Sequence, residues 1–375
     1  MSGDVNVLVA PFTDATRPEF GVELGQTIVR NLKAARSSAA DAALDVQVRG
    51  PIDSTASSQS TALEAMSEHG AQILVYGEVG SKHGRIIVRP YLYLDPGWLV
   101  GVEEFAGAYA LDPITAGSTG ASNLTATRLL VRKAVAVELS GLASLAVGLS
   151  WFDANRMQRA LVWLNRAATR TQGRFAAVAE LFRGNVLGKL GRFGEAEDAY
   201  LSAERHRQGF RRARFGIVEI RFHRNSSNCD RGASGKGLRD ASAAFAHLVQ
   251  ATAIEDDTAA NQALLLRARL GQARADFCLS QAGIESRWAE AEAGFRAVFR
   301  IARKQPARFR TEYAEAHGWL GFTLLPGGPK KPGATAAYRE AQRHFRVAFN
   351  LTDDSERRRY FGQMLAFVNR RLTPP

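Results

Sequence analysis

Histidine, cysteine and serine are the side chains that most often carry catalysis, and their spacing in this chain matches no common catalytic or metal-binding motif. The 7 histidines include no His-x-x-x-His pair and no His-Glu-x-x-His, the spacing that places two ligands on one helix face. No Gly-x-Ser-x-Gly is present, so the sequence offers no nucleophilic serine of the hydrolase type. We therefore predict that the chain is not an enzyme and that it holds no cofactor or metal.

Two other groups of residues could bind phosphate or metal, and both have simpler explanations. Residues 232–237 contain glycines and Lys236, but the earlier glycine of a phosphate-binding loop is missing and no serine or threonine follows the lysine. The two cysteines, Cys229 and Cys278, are too few for a disulfide framework or a cysteine-rich metal site. Because Cys278 lies between Phe277 and Leu279, we expect it to be a buried structural thiol.

The composition is that of a soluble globular protein, since 46% of the 375 residues are hydrophobic and 23% are charged. It excludes an intrinsically disordered chain, a collagen-like chain and a small disulfide scaffold. No run approaches 18 apolar residues, so we expect no membrane-spanning helix. The first residues lack the basic and apolar regions of a secretory signal. These features favour a cytoplasmic location, although a chain trimmed of its leader would look the same.

Charge is unevenly distributed along the chain, whose formal net charge is +12. Residues 1–112 carry 8 basic and 14 acidic side chains, whereas residues 113–375 carry 41 basic and 23 acidic ones. A change of sign this large predicts two domains with different surfaces.

The first 112 residues alternate between strand-like and helix-like patterns. Val5–Ala10, 45–49, 73–79 and 85–94 read as strands, with a weaker strand signal over 99–109, and helical spacing covers 20–32 and 57–68. The order β-α-β-α-β-β-β predicts a mixed sheet with helices packed on it. Residues 5–110 resemble the small N-terminal domain of TolB and of FlgO-like proteins, through Val-Leu-Val-Ala-Pro-Phe and Gly-Ala-Gln-Ile-Leu-Val-Tyr-Gly-Glu-Val. That resemblance implies a role in assembly or sensing, with no catalytic motif.

A repeated pattern fills the rest of the chain. In the clearest copy, residues 179–204, small residues and one aromatic recur at the spacing of a helix pair: Gly184, Leu187, Gly191, Phe193, Ala196, Tyr200 and Ala203. Four further copies are in phase with it, and together the five resemble the tetratricopeptide repeat family. This resemblance implies a solenoid of helix pairs. Residues 355–372 read as a C-terminal capping helix.

The predicted fold class is therefore α+β and multidomain, with a small α/β domain followed by an all-α tetratricopeptide-repeat solenoid. The expected boundaries are 1–112 for the α/β domain, 113–122 for a linker, 123–352 for about five repeats, and 353–375 for the capping helix and tail.

The resemblance also implies a concave groove lined by the first helix of each repeat, in which another protein or a peptide would bind. Mapping the repeat frame onto the chain places five candidate partner-binding residues there: Asn185, Lys189, Arg221, Gln272 and Asp276. The family's clamp for a peptide carboxylate needs paired Asn and Lys or Arg in adjacent repeats. Asn185 fits one such position, but Ala213 and Ile217 do not, which argues against that ligand.

A basic patch around the second and third repeats offers an alternative. Its members are arginines, Arg207, Arg211, Arg212 and Arg214, and such a cluster can contact an acidic protein or the phosphates of nucleic acid. Two hypotheses follow. The favoured one is a non-catalytic scaffold or regulatory subunit of a bacterial signalling or defence assembly, with an effector on another chain. The alternative is a nucleic-acid-binding regulator, and the oligomeric state stays open.

Overall fold

The structure is a computed structural model. It describes the following residues: 5–14, 18–37, 46–51, 59–83, 85–99, 102–116, 124–138, 141–226, 229, 233–253, 259–306, 308–325, 334–352 and 355–372. Contacts divide the chain into two compact units, Met1–Gly216 and Ile217–Pro375, and each is described by itself.

A small mixed sheet opens the first unit. The strands are β1 (Val5–Val9), β2 (Thr13–Asp14), β3 (Val46–Arg49), β4 (Ile73–Lys82), β5 (Arg85–Leu94), β6 (Gly107–Ala110) and β7 (Ile114–Ala116). Their order is β3-β1-β4-β5-β6, with β2 beside β4 and β7 beside β5. β1 pairs in parallel with β3 and β4, and β5 is antiparallel to β4, β6 and β7. The mixed sheet predicted from the sequence is thus present.

Helices cover this sheet because its strands are apolar on both faces. Leu8 and Leu74 on one face pack with Ala65 and Met66 of α2 (Gln59–His69). The neighbouring strand residues point to the opposite face, and α1 (Pro18–Ser37) and α4 (Leu142–Asp153) both contact β1.

Helices make up nearly all of the described chain after residue 124. They are α3 (Leu124–Glu138), α4, α5 (Met157–Arg170), α6 (Gly173–Lys189), α7 (Phe193–His206), α8 (Arg211–Ser226), α9 (Gly235–Ala253), α10 (Ala259–Gln281), α11 (Trp288–Ala302), α12 (Arg310–Thr323), α13 (Ala334–Leu351) and α14 (Ser355–Leu372). Within each unit they pack as consecutive pairs, among them α4 with α5, α6 with α7, α10 with α11, and α12 with α13. The predicted capping helix coincides with α14.

Glycines opposite aromatic rings let paired helices approach closely. A Cβ atom added at Gly184 of α6 would lie 2.7 Å from the Tyr200 ring of α7, and one at Gly216 would lie 2.5 Å from the same ring. In the second unit, Gly271 meets Phe245 and Gly321 meets Phe345 in the same way. A side chain larger than glycine at these positions would clash with the ring of the neighbouring helix.

The sheet and the first helix pairs pack against each other within the first unit. Phe105 contacts Phe182 of α6 and Phe215 of α8 edge to face, with ring centroids 6.2 Å and 6.5 Å apart. The predicted linker is not wholly irregular, because Ile114–Ala116 forms β7 and pairs with β5. The predicted boundaries at 112 and 123 fall inside the first unit and stay predictions.

One expectation about a single feature is wrong, and weak evidence bears on a second. Cys278 is not a free thiol, because it forms a disulfide with Cys229, 49 residues earlier in the sequence. One stretch in the described chain, Ala126–Asp153, is long and apolar enough to cross a membrane by length and composition alone. It spans α3 and α4, and 87% of its most apolar window is buried inside the fold, so this finding is weak evidence for a membrane span.

Candidate functional site

A cavity of about 540 Å³ lies in the second unit, among helices that alternate along the chain: α8, α10, α12 and α14. Its volume is within the range of about 300–1,000 Å³ that is usual for ligand pockets. The cavity is lined by Glu219, His223, Cys229, Arg267, Arg274, Phe277, Gln281, Glu315, Trp319, Phe322, Leu325, Arg357, Tyr360 and Phe361.

Helical spacing explains how α10 presents its lining residues. Arg267, Arg274 and Gln281 follow each other at intervals of seven residues, and Phe277 lies three residues after Arg274. Residues at these intervals share one face of a helix. The same rule places Arg357 and Tyr360 together on α14, three residues apart.

One ionic group in the cavity lining is the ion pair between Arg274 and Glu219. An Nη1 atom of Arg274 lies 2.8 Å from Oε1 of Glu219, and Nε2 of His223 lies 3.2 Å from the same oxygen. Burial alone would raise the pKa of Glu219, but Arg274 and His223 outweigh it and hold that pKa well below its usual range. The Arg274 guanidinium also lies over the Phe222 ring, 4.7 Å from its centroid.

A second ionic group in the lining is centred on Glu315. Arg267 lies 2.8 Å from the Glu312 carboxylate and 3.5 Å from that of Glu315, and Arg357 also pairs with Glu315. Burial would raise the pKa of Glu315, yet Arg357, Arg267 and Arg274 together lower it. Both carboxylates of the cavity are therefore ionised at neutral pH, and each has more than one partner, so no single side chain alone compensates its charge.

Aromatic rings form an apolar part of the cavity wall. Trp319 contacts Phe277 and Phe322, with ring centroids 5.3 Å and 5.7 Å apart. Phe322 in turn lies 5.5 Å from Tyr360 of α14. Such rings supply large apolar area with defined geometry, which is typical of residues that anchor a bound partner.

The mouth of the cavity differs from its interior in exposure. The side chains of Arg357 and His223 are 49% and 43% exposed, and Tyr360 is 51% exposed. The Arg267 and Glu315 side chains are only 11% and 10% exposed. A ligand entering from solvent would therefore meet a guanidinium, an imidazole and a phenol ring first.

None of the five predicted groove residues lines this cavity. Asp276 is buried and accepts a hydrogen bond of 2.8 Å from Ser242 of α9, so it faces away from Arg274. Gln272 is one turn before Asp276 and shares its face of α10. On α8, Arg221 is about half a turn away from Glu219 and lies on the opposite side of the helix.

The other two predicted groove residues belong to the first unit. Asn185 is buried in α6, and the Nζ atom of Lys189 lies 4.4 Å from the centroid of the Phe152 ring. Their predicted role in partner binding stays a prediction.

The arginines of the predicted basic patch contact aromatic rings and a carboxylate within the first unit. Arg212 lies over the Tyr109 ring, 4.4 Å from its centroid, and Arg207 lies 5.0 Å from the centroid of Phe210. Arg214 pairs with Glu204. Burial lowers the pKa of Arg207 and Arg211, and the charge of Arg212 lowers both further.

Sequence reasoning missed the charged residues of the cavity because their partners are distant in the sequence. Arg274 pairs with Glu219, 55 residues earlier, and Arg357 with Glu315, 42 residues earlier. The seven-residue interval between Arg267 and Arg274 was a visible signal that two arginines share one face of a helix. In the part of the chain that the structure describes, no group of three or more His, Cys, Asp or Glu side chains could hold a metal ion.

Comparison with known proteins gives only distant similarities. No family model matches the chain, and no curated protein matches it. YrrB, described as a TPR protein with an unusual peptide-binding site, is 16% identical with a TM-score of 0.33, over 60% of this chain and 92% of YrrB. A tetratricopeptide repeat protein from Parabacteroides merdae is 12% identical with a TM-score of 0.34, over 66% and 95% of the two chains. Both similarities are too distant to transfer a function.

Proposed function

We propose that this protein is a non-catalytic interaction scaffold whose C-terminal helices bind a segment of another protein. The observation that carries the proposal is the cavity of about 540 Å³ between α8, α10, α12 and α14, whose lining combines two ionic groups with aromatic rings. Charged groups can fix the orientation of a bound partner, and the aromatic rings beside them can bury its apolar groups. Because the lining residues come from four helices, a peptide segment could contact several of them at once.

The finer proposal is a regulatory or sensor subunit of a bacterial signalling or defence assembly, with the effector on another chain. It is supported by the resemblance of residues 5–110 to domains with assembly or sensing roles, and by the repeat pattern that follows them. A cytoplasmic location is part of this proposal.

Site-specific cross-linking tests whether the cavity binds a protein. Tyr360 is replaced by a photoreactive aromatic amino acid, and the full chain is irradiated in cells of the source organism. We expect one discrete protein adduct, because Tyr360 is exposed at the cavity mouth. The matched control places the same amino acid at Arg359, which lies on the far side of α14 and outside the cavity lining.

No adduct at Tyr360, or the same adduct from both positions, would contradict the proposal. Nuclease treatment of the adduct separates a protein partner from nucleic acid.

Nucleic-acid binding by the basic patch is the second candidate function. It is favoured by the crowding of Arg207, Arg211 and Arg212, whose mutual repulsion a bound anion would relieve. Nucleic acid that copurifies with the wild-type chain, and is lost in Arg211→Gln, would support it.

A further inference from the structure

More arginines than carboxylates line the cavity of the second unit, and one of them, Arg267, also pairs with Glu312 outside the lining. The lining contains three guanidinium groups, those of Arg267, Arg274 and Arg357, and two carboxylates, those of Glu219 and Glu315. Residues 217–375 as a whole carry 25 basic and 16 acidic side chains. An anionic ligand is therefore complementary to the basic segment that contains the cavity.

Arg357 is the guanidinium that a ligand can reach. Its side chain is 49% exposed, and it shares Glu315 with Arg267. Because Arg267 also holds Glu315, a ligand carboxylate could bind Arg357 without leaving the buried Glu315 carboxylate unpaired. Arg274 lies deeper, with its side chain 14% exposed and its charge paired with Glu219. Arginine binds carboxylates through a rigid pair of N–H donors, so this contact would be directional.

An aromatic side chain lies beside Arg357 on the same face of α14. Tyr360 is 51% exposed, and its ring is inclined by 30° to that of Phe322, 5.5 Å away. An aromatic ring from a ligand could pack against this pair and reach the wall formed by Trp319 and Phe277. Aromatic pairs contribute about 0.5–1.5 kcal/mol beyond the burial of their area.

A cationic ligand fits the cavity less well. The carboxylates of Glu219 and Glu315 are already held by Arg274 and by Arg267 with Arg357. A cation entering from solvent would first meet Arg357, and like charges repel. A wholly apolar ligand would make no charged contact with Arg357 at the cavity mouth.

We propose that the cavity takes an acidic peptide in which an aromatic side chain stands close to a carboxylate. The aromatic ring packs against Tyr360 and Phe322, and the carboxylate binds Arg357. This inference rests on the proposed function, since it names the chemistry of the segment that the scaffold binds. The carboxylate comes from an Asp or Glu side chain or from the end of a peptide, and both sources share the same contact.

The test selects ligands from a library of random seven-residue peptides with the full-length protein. We expect enrichment of sequences with Phe, Tyr or Trp within two positions of Asp or Glu. An enriched peptide is then made in two forms, with Glu and with Gln at the acidic position, and each form carries either a free or an amidated C-terminus. The amidated forms show whether a side chain or the terminus supplies the carboxylate.

Binding of these peptides is measured for the wild type, for Arg357→Gln and for the control Arg359→Gln. We expect Arg357→Gln to weaken binding of the acidic peptide about tenfold, which corresponds to the loss of a charged hydrogen-bonded contact. It should leave binding of the uncharged form nearly unchanged, and Arg359→Gln should bind both forms as the wild type does. If Arg357→Gln weakens binding of the acidic peptide but not of the uncharged peptide, Arg357 and the peptide carboxylate are in direct contact.

The outcomes separate the two proposals. Enriched peptides that lack the acidic and aromatic pair, or an Arg357→Gln variant that binds the acidic form as tightly as the wild type, would overturn this inference and leave the scaffold function standing. Failure to enrich any peptide would overturn this inference and remove the peptide-binding role of the cavity as well.

Discussion

At the scale of single residues, two neighbouring histidines in the second unit have lowered pKa values. The Nδ1 atoms of His317 on α12 and His344 on α13 are 2.8 Å apart, so one ring donates a hydrogen bond to the other only while at least one of them is neutral. Burial lowers the pKa of His317 to about 4, and the nearby His344 adds to this effect. Burial also lowers the pKa of His344, against the opposing influence of Glu340.

The histidine pair should make folding stability fall with pH in the mildly acidic range. In the unfolded chain His317 takes up a proton near its ordinary pKa of about 6.5, whereas in the folded chain it does so only near 4. The unfolded state therefore binds more protons than the folded state below pH 6.5. The contribution of His317 to stability is complete above pH 6.5 and is lost as the pH falls towards 4. We expect a loss of about 2 kcal/mol between pH 8 and pH 5, measured by urea unfolding.

The variant His317→Phe should show a smaller loss over the same pH interval, because the ring among Phe299 and Tyr313 no longer titrates. The control is His247→Gln, which changes an exposed histidine of α9 outside the buried pair. Glu219 and Glu315 do not interfere, since their lowered pKa values affect stability only below about pH 4.5. An unchanged loss in His317→Phe would contradict the assignment.

At the scale of elements, the contact between glycine and an aromatic ring sets the distance between paired helices. Gly184 on α6 and Gly194 on α7 give a matched comparison. A Cβ at Gly184 would lie 2.7 Å from the Tyr200 ring, whereas a Cβ at Gly194 would meet nothing within 4 Å. Gly184→Ala should therefore destabilise the fold by about 1–3 kcal/mol through overpacking. Gly194→Ala should stabilise it by up to about 1 kcal/mol, because alanine favours a helix.

Thermal unfolding of both variants beside the wild type checks this prediction. If Gly184→Ala were as stable as Gly194→Ala, the prediction would be wrong. That result would mean that α6 and α7 do not approach closely at Tyr200. Far-UV circular dichroism shows whether each variant keeps its helix content.

Elements that depend on local patterns could be predicted from the sequence. Apolar spacing and the repeated glycine and aromatic positions indicated the helix pairs, and 355–372 coincides with α14. β2 and β7 were missed because they are only 2 and 3 residues long, too short for a pattern to show. A two-residue strand is defined by its partner, and β2 exists through its pairing with β4.

The cavity could not be predicted in the same way. Its ion pairs join residues 42 and 55 positions apart, and nothing in a local pattern connects them. The repeat frame selected Gln272 and Asp276, and neither lines this cavity. Asp276 instead bonds Ser242 of α9, 34 positions earlier, and that partner is invisible to a frame based on helix spacing.

At the scale of the whole molecule, the unequal distribution of charge bears on how a partner arrives. The chain has a net charge of +12, and its positive excess lies after residue 112. A field of this kind attracts an acidic ligand over several ångströms and raises the association rate, whereas the dissociation rate depends on contacts made after docking. At the cavity mouth, the charge of Arg357 contributes to the attraction before docking, and the ring of Tyr360 contributes to the contacts made after docking.

Stopped-flow binding of the enriched acidic peptide should separate them. Between about 0.1 M and about 1 M salt the screening length falls from about 10 Å to about 3 Å. We expect the association rate to fall about tenfold over this interval and the dissociation rate to change little. Tyr360→Leu should instead speed dissociation and leave the salt dependence intact, because it removes a ring contact and no charge.

The uncharged form of the same peptide is the control, and its association rate should be nearly independent of salt. If the acidic and uncharged peptides showed the same salt dependence, long-range attraction would have no part in binding. The positive excess after residue 112 would then serve the fold or its solubility, and recognition would depend on the local contacts at Arg357 and Tyr360 alone.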